Sequence, residues 1–156
     1  MVDSLGFGQR VTSEELLSQA VNRAVWMMQP EHFHLLSRLC VRPWMYVTPS
    51  TFDAVVHWIE GYHHATGCLH GFREWLVTQG AKGNNFGWAG LVRHHLVLHG
   101  VSGDEARSIE QLGQWLHQFH TYMEGLPSSR DAMLRIYLDY QAWLASKPWY
   151  GPGLLS

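Results

Sequence analysis

Residues 102–125 read SGDEARSIEQLGQWLHQFHTYMEG, and this stretch decides the fold. Ile109, Leu112, Leu116, Phe119 and Met123 recur in alternating three- and four-residue steps. That spacing puts all five on one side of an α-helix and suits packing against a neighbouring helix. Ser102 and Glu105 stand at capping-box spacing ahead of the stripe, and Gly125 with Pro127 ends it. Nowhere does a period-two alternation persist beside a hairpin turn, so the expected class is all-α.

Toward the C-terminus, Met133, Leu134, Tyr137, Leu138, Tyr140 and Leu144 give a seventh helix from about Ser129 to Ser146 a buried side, and Pro148 closes it. Working back from Ser102, a fifth helix from about Trp88 to His99 presents Leu91, Val92, His95 and Leu98. The run Gly80-Ala-Lys-Gly-Asn-Asn-Phe-Gly is a loop by composition. A short fourth helix carries Phe72, Trp75 and Leu76 and ends at Gly80. The third begins near Pro49 or Ser50, with Ser50 and Asp53 as caps. It buries Phe52, Val55, Val56, Ile59 and Tyr62 or His63, and Gly67 stops it. Val41 to Pro49, with two prolines, reads as an extended connection. Pro30 suits the first turn of a second helix carrying Phe33, Leu36 and Cys40. Thr12 and Glu15 cap a first helix with Leu16, Leu17, Ala20, Val21, Ala24 and Val25 on one side. The expectation is a single compact domain of six to seven helices over residues 1–156. Helices three, five, six and seven are expected to form most of the core, and 1–11 and 148–156 to be flexible or loosely packed ends.

Composition narrows the function classes. Hydrophobic residues make up 46% of the 156 and charged residues 15%, which excludes a disordered polyelectrolyte. A formal charge of −2 gives non-specific nucleic-acid binding no global support. No run approaches the roughly 18 apolar residues of a membrane helix, and Met-Val-Asp-Ser-Leu-Gly is not a signal-peptide opening. A cytoplasmic protein with neither nucleic acid nor membrane as partner is expected. Cys40 and Cys68 are too few for a zinc motif or a disulfide framework and read as reduced thiols.

Eleven histidines and eight tryptophans are the unusual counts. His57, Glu60 and His64 share one side of the third helix; His95 and His99 are four apart on the fifth, and His117, His120 and Glu124 repeat the spacing on the sixth. Facing helices that carry such pairs build metal sites in bundles, so a metal-dependent enzyme or metal-binding bundle is the alternative reading. Against it, His57 and His64 fall opposite Phe52, Val55 and Ile59, and no HExxH signature, GxSxG elbow or phosphate-cradling glycine loop occurs. The leading reading assigns no catalytic residue, no metal and no cofactor.

The leading reading rests on aromatic and arginine content. Arg42-Pro-Trp-Met-Tyr, Gly61-Tyr62, Gly71-Phe-Arg-Glu-Trp-Leu and Gly87-Trp-Ala-Gly-Leu-Val follow one another. Trp, Tyr and Arg dominate interface hot spots. Arg42, Trp44, Tyr46, Asn84, Asn85 and Trp88 are therefore the candidate partner-binding residues, while Trp75 and Tyr62 read as core. The Trp count also points to self-association as a further option.

This order of motifs, over Arg42 to Leu116, resembles small uncharacterised bacterial proteins of toxin-immunity gene sets. The resemblance implies a compact cytosolic protein that neutralises a cognate toxin or effector by binding and occluding it. It carries no catalytic residues across.

Overall fold

Thr12 starts the first helix as a reciprocal cap: its Oγ1 accepts from the Glu15 N–H at 3.2 Å, and its own N–H donates to the Glu15 carboxylate at 2.8 Å. The computed structural model describes residues 12–27, 29–80 and 85–150. Within them run α1 (Ser13–Met27), α2 (Pro30–Val41), a 3-10 turn (Pro43–Met45), α3 (Phe52–Thr66), α4 (Phe72–Thr78), α5 (Trp88–Leu98), α6 (Glu105–Glu124) and α7 (Ser129–Ala145). No strand occurs among the described residues, and no helix there is long and apolar enough to cross a membrane. The chain forms one all-α domain.

The stripe on α6 becomes the centre of the core. Ile109, Leu112, Leu116, Phe119 and Met123 are all buried, joined by Trp115 and Ser108. α6 packs against α2, α3 and α7, while α4 lies against α5 and α7, and α1 against α7. Phe119 is the aromatic hub, with ring centroids 5.9 Å from Phe33, 5.1 Å from Phe72 and 5.5 Å from Trp75. Such tilted pairs add about 0.5–1.5 kcal/mol each beyond the area they bury. Glycines at two turns set the chain path. Gly67 ends α3 at φ 70, and Gly71 opens α4 at φ 80 with Met133 directly over it.

Several expectations are corrected. α3 is capped by Thr51, whose Oγ1 accepts from the Ala54 N–H at 3.2 Å, and not by Ser50 and Asp53; the Ser50 hydroxyl turns back to the Val47 carbonyl. Asp104, not Ser102, caps α6 by accepting from the Arg107 N–H at 3.0 Å. The Glu105 carboxylate is thereby free to accept the Phe52 N–H across the fold, tying the start of α6 to the start of α3. Residues 41–49 are not simply extended, since Pro43, lacking an N–H, ends α2 and opens a 3-10 turn. On α5, Leu98 is exposed and Leu96 is buried instead. On α7, Leu134 and Leu138 are exposed while Ala132 and Ile136 are buried, because the helix is rolled to put Met133 and Ile136 over Gly71. α2 also belongs to the core, supplying Leu36 and Leu39 with no exposure. On α1 Leu16 is exposed and Val21 buried; the side chains of Ala20, Ala24 and Val25 lie outside the described residues. So do the ends 1–11 and 151–156, whereas Trp149 stands edge-on to Trp143 at 6.3 Å.

Candidate functional site

The surface around the C-terminus of α2 is built by one proline. The Arg42 N–H closes the helix on the Arg38 carbonyl at 2.9 Å. Pro43 then turns inward and is buried, and its carbonyl accepts from Tyr46 and Val47, both at 2.9 Å. Tyr46 anchors the far side of the turn against Trp58, edge-on at 5.8 Å. With Pro43 and Tyr46 turned in, Val41, Trp44 and Met45 are left out: they are 68%, 65% and 63% exposed. Three large apolar side chains thus stand as a ridge on a tightly hydrogen-bonded turn.

A groove of about 530 Å³ runs beside this ridge between α2 and α6. Cys40, Val41, Pro43, Trp44, Ile109 and Gly113 give it an apolar lining, and Glu110, Gln114 and His117 a polar edge. Gly113 lets the two helices approach, since a Cβ there would sit 3.0 Å from the Cys40 Cβ. On the other side of Val41 is a second hollow of about 410 Å³, lined by Arg38, Arg42, Met45 and Tyr46. Burial pushes the Cys40 thiol up to about 12, so the groove carries a protonated, unreactive sulfur. Cys68 is likewise free and buried.

Of the expected partner-binding residues, Arg42, Trp44 and Tyr46 come together here, with Arg42 exposed and Tyr46 half-buried. Trp88 does not join them. It is 8% exposed, packs on Phe72 at 6.1 Å, and edges a different hollow beside Glu60, His63, His64 and His70. Asn85 is exposed in the loop before α5, and Asn84 lies outside the described residues. Sequence reasoning missed Val41, Met45 and the α6 wall of the groove. Gly113 was the available signal: a glycine in a helix interior is unfavourable by about 1 kcal/mol relative to alanine and marks a close approach.

The histidines are dispersed. Among the described residues no three His, Cys, Asp or Glu side chains converge on a point that would hold a metal ion. His57, Glu60 and His64 are exposed, as is His117. His95 and His99 lie 4.1 Å apart, with His95 edge-on to Trp115 at 4.5 Å. His120 stacks on Phe33 at 4.6 Å and its Nε2 lies 3.2 Å from a Glu124 carboxylate oxygen. Burial holds the His120 pKa below its ordinary value, with His34 and His117 lowering it further against the pull of Glu124. Burial also lowers His63, which accepts the Leu69 N–H on Nδ1, and His95.

No protein-family model matches the chain, and no curated protein or solved structure is significantly similar to it.

Proposed function

We propose that this protein is a protein-binding module whose docking face is the Val41–Trp44–Met45 ridge with the α2–α6 groove beside it. The observation that carries the reading is Trp44, a tryptophan 65% exposed and held on a turn fixed by buried Pro43. Exposed apolar clusters rimmed by polar groups mark interaction sites, and buried aromatic anchors supply most interface energy. A partner side chain inserted in the groove would cover Ile109 and Pro43 while Trp44 closes over it, with Arg42 and Glu110 at the rim setting orientation. The finer reading is that the partner is a cognate toxin or effector, silenced because the docked module covers its working surface.

The test uses the product of an adjacent gene as the partner. Titration calorimetry with Trp44→Ala is expected to show affinity weakened by at least ~2 kcal/mol, the scale of a hot-spot residue, with an unchanged melting temperature. Unchanged affinity would remove the ridge from the interface. Protection of cells from that product, lost with Trp44→Ala, supports the toxin reading; binding without protection retains the module and removes the toxin. Sedimentation over a range of concentrations separates a second copy from a foreign partner, because self-association through the ridge would disappear in Trp44→Asp.

A further inference from the structure

Residues 67–71 join α3 to α4 and share no residue with the docking face. Glycines in the left-handed region bracket this joint, Gly67 at φ 70 and Gly71 at φ 80. Between them Cys68 and Leu69 are turned inward, 0% and 3% exposed. The Leu69 N–H has no backbone acceptor among the described residues; it donates to Nδ1 of His63, on the last turn of α3, at 3.1 Å. A backbone N–H can only donate, so this ring nitrogen must carry its lone pair. The imidazole is therefore neutral, with its proton on Nε2.

The charged and titratable groups around His63 are few. Glu60 and His64 from α3 and His70 from the joint line the same hollow, to which α5 brings only Trp88. α2 and α6 also pack on α3, but His32 bonds Tyr62, Glu105 accepts the Phe52 N–H, and neither lines this hollow. The Cys68 thiol is pushed up by burial and stays neutral. Burial first, then His70 and His64, hold the His63 pKa below its ordinary value. A proton taken from water has one place to go on this ring, Nδ1, where it sets one N–H against another. We propose that His63 is a pH-sensitive latch on the α3–α4 joint: protonation of Nδ1 removes the acceptor of the Leu69 N–H, and residues 67–71 swing outward on their two glycines, opening Cys68 and Leu69 to water. The latch stands independently of the docking reading.

Opening returns the ring to water, where it titrates near its ordinary value of 6.5, so acid below that value favours the open joint. The two free cysteines report it, since Cys68 sits in the joint and Cys40 between α2 and α6, both buried. Burial raises both thiols, so the ratio of their rates with a pyridyl disulfide cancels the loss of thiolate on acidification. In the full chain, peptide mass spectrometry should show Cys68 labelling rise several-fold relative to Cys40 between about pH 7 and about pH 5.5, with about tenfold per pH unit as the ceiling. His63→Gln does not titrate, so its ratio should stay flat, while His64→Gln, exposed on the same helix, should keep the rise. If His63→Gln does not fold, nitrogen spectra of the wild-type imidazoles serve, because the rise must follow the titration of His63. A flat wild-type ratio, both thiols accelerating together as in global unfolding, a rise that survives His63→Gln, or one that does not follow the His63 titration would overturn the proposal.

Discussion

At Gly71 the backbone adopts φ 80, and a Cβ added there would meet the Met133 Cε at 2.6 Å. The methionine end is flexible and can move aside, but the left-handed backbone cannot be relieved in that way. For an L-residue this conformation costs about 1–2 kcal/mol. Gly71→Ala should therefore lower stability by that amount in urea unfolding. Adding Met133→Ala to it should give no rescue; a rescue would show that the contact, not the dihedral, is what requires glycine. Trp44 makes the complementary point at the same scale. Its sequence neighbours marked it as an interface candidate, but only buried Pro43 explains why its indole is presented to solvent.

Helices show where a periodic pattern stops being informative. α6 has one unambiguous apolar stripe, and its buried residues follow it. α7 offers two: Leu134 and Leu138 are as apolar as Ala132, Met133 and Ile136, and four-residue spacing cannot rank them. The choice is made by what lies opposite, namely α4, Gly71 and the side of α6 that α2 and α3 leave free. Ile136→Ala should destabilise by about 2–5 kcal/mol as a cavity-forming change. Leu138→Ala, on the exposed side, should stay within about 0.5 kcal/mol. Denaturation midpoints of the two variants check the assignment, and comparable losses would mean that Leu138 is covered. Caps follow the same logic. Ser102 and Asp104 are both competent N-caps; Asp104 serves, accepting the Arg107 N–H, while the Glu105 carboxylate accepts the Phe52 N–H instead of closing a box with Ser102.

For the whole molecule, the histidines set the response to acid. His63, His95 and His120 are each held below the ordinary value of 6.5, first of all by burial. With folded values below the unfolded one, the unfolded chain takes up protons first as pH falls. Their contribution is complete above pH 6.5 and is lost as pH descends through it toward the folded values. Urea midpoints should accordingly fall between about pH 7 and pH 5, and His63→Gln or His95→Gln should flatten the slope. A midpoint that rises on acidification would show that pairs such as His120 with Glu124 outweigh burial.

The sequence by itself determined the all-α class, a range of six to seven helices that the seven among the described residues fall within, and the central stripe on α6, because helical periodicity, prolines and glycine stops are local properties of the chain. Residue type also put Arg42, Trp44 and Tyr46 among the six candidates, and the structure brings these three together on one turn. Tertiary structure decided the rest. Trp44 and Trp88 each border a loop and are indistinguishable in sequence, yet one projects beside a groove and the other fills the core against Phe72. The α2–α6 groove joins Cys40 to Gly113, and the hollow beside His63 joins α3 to Trp88; both lie between residues far apart in the chain. Burial and cavities arise from which helix faces meet, and that is settled by packing many side chains at once, a non-local quantity that no single stretch encodes.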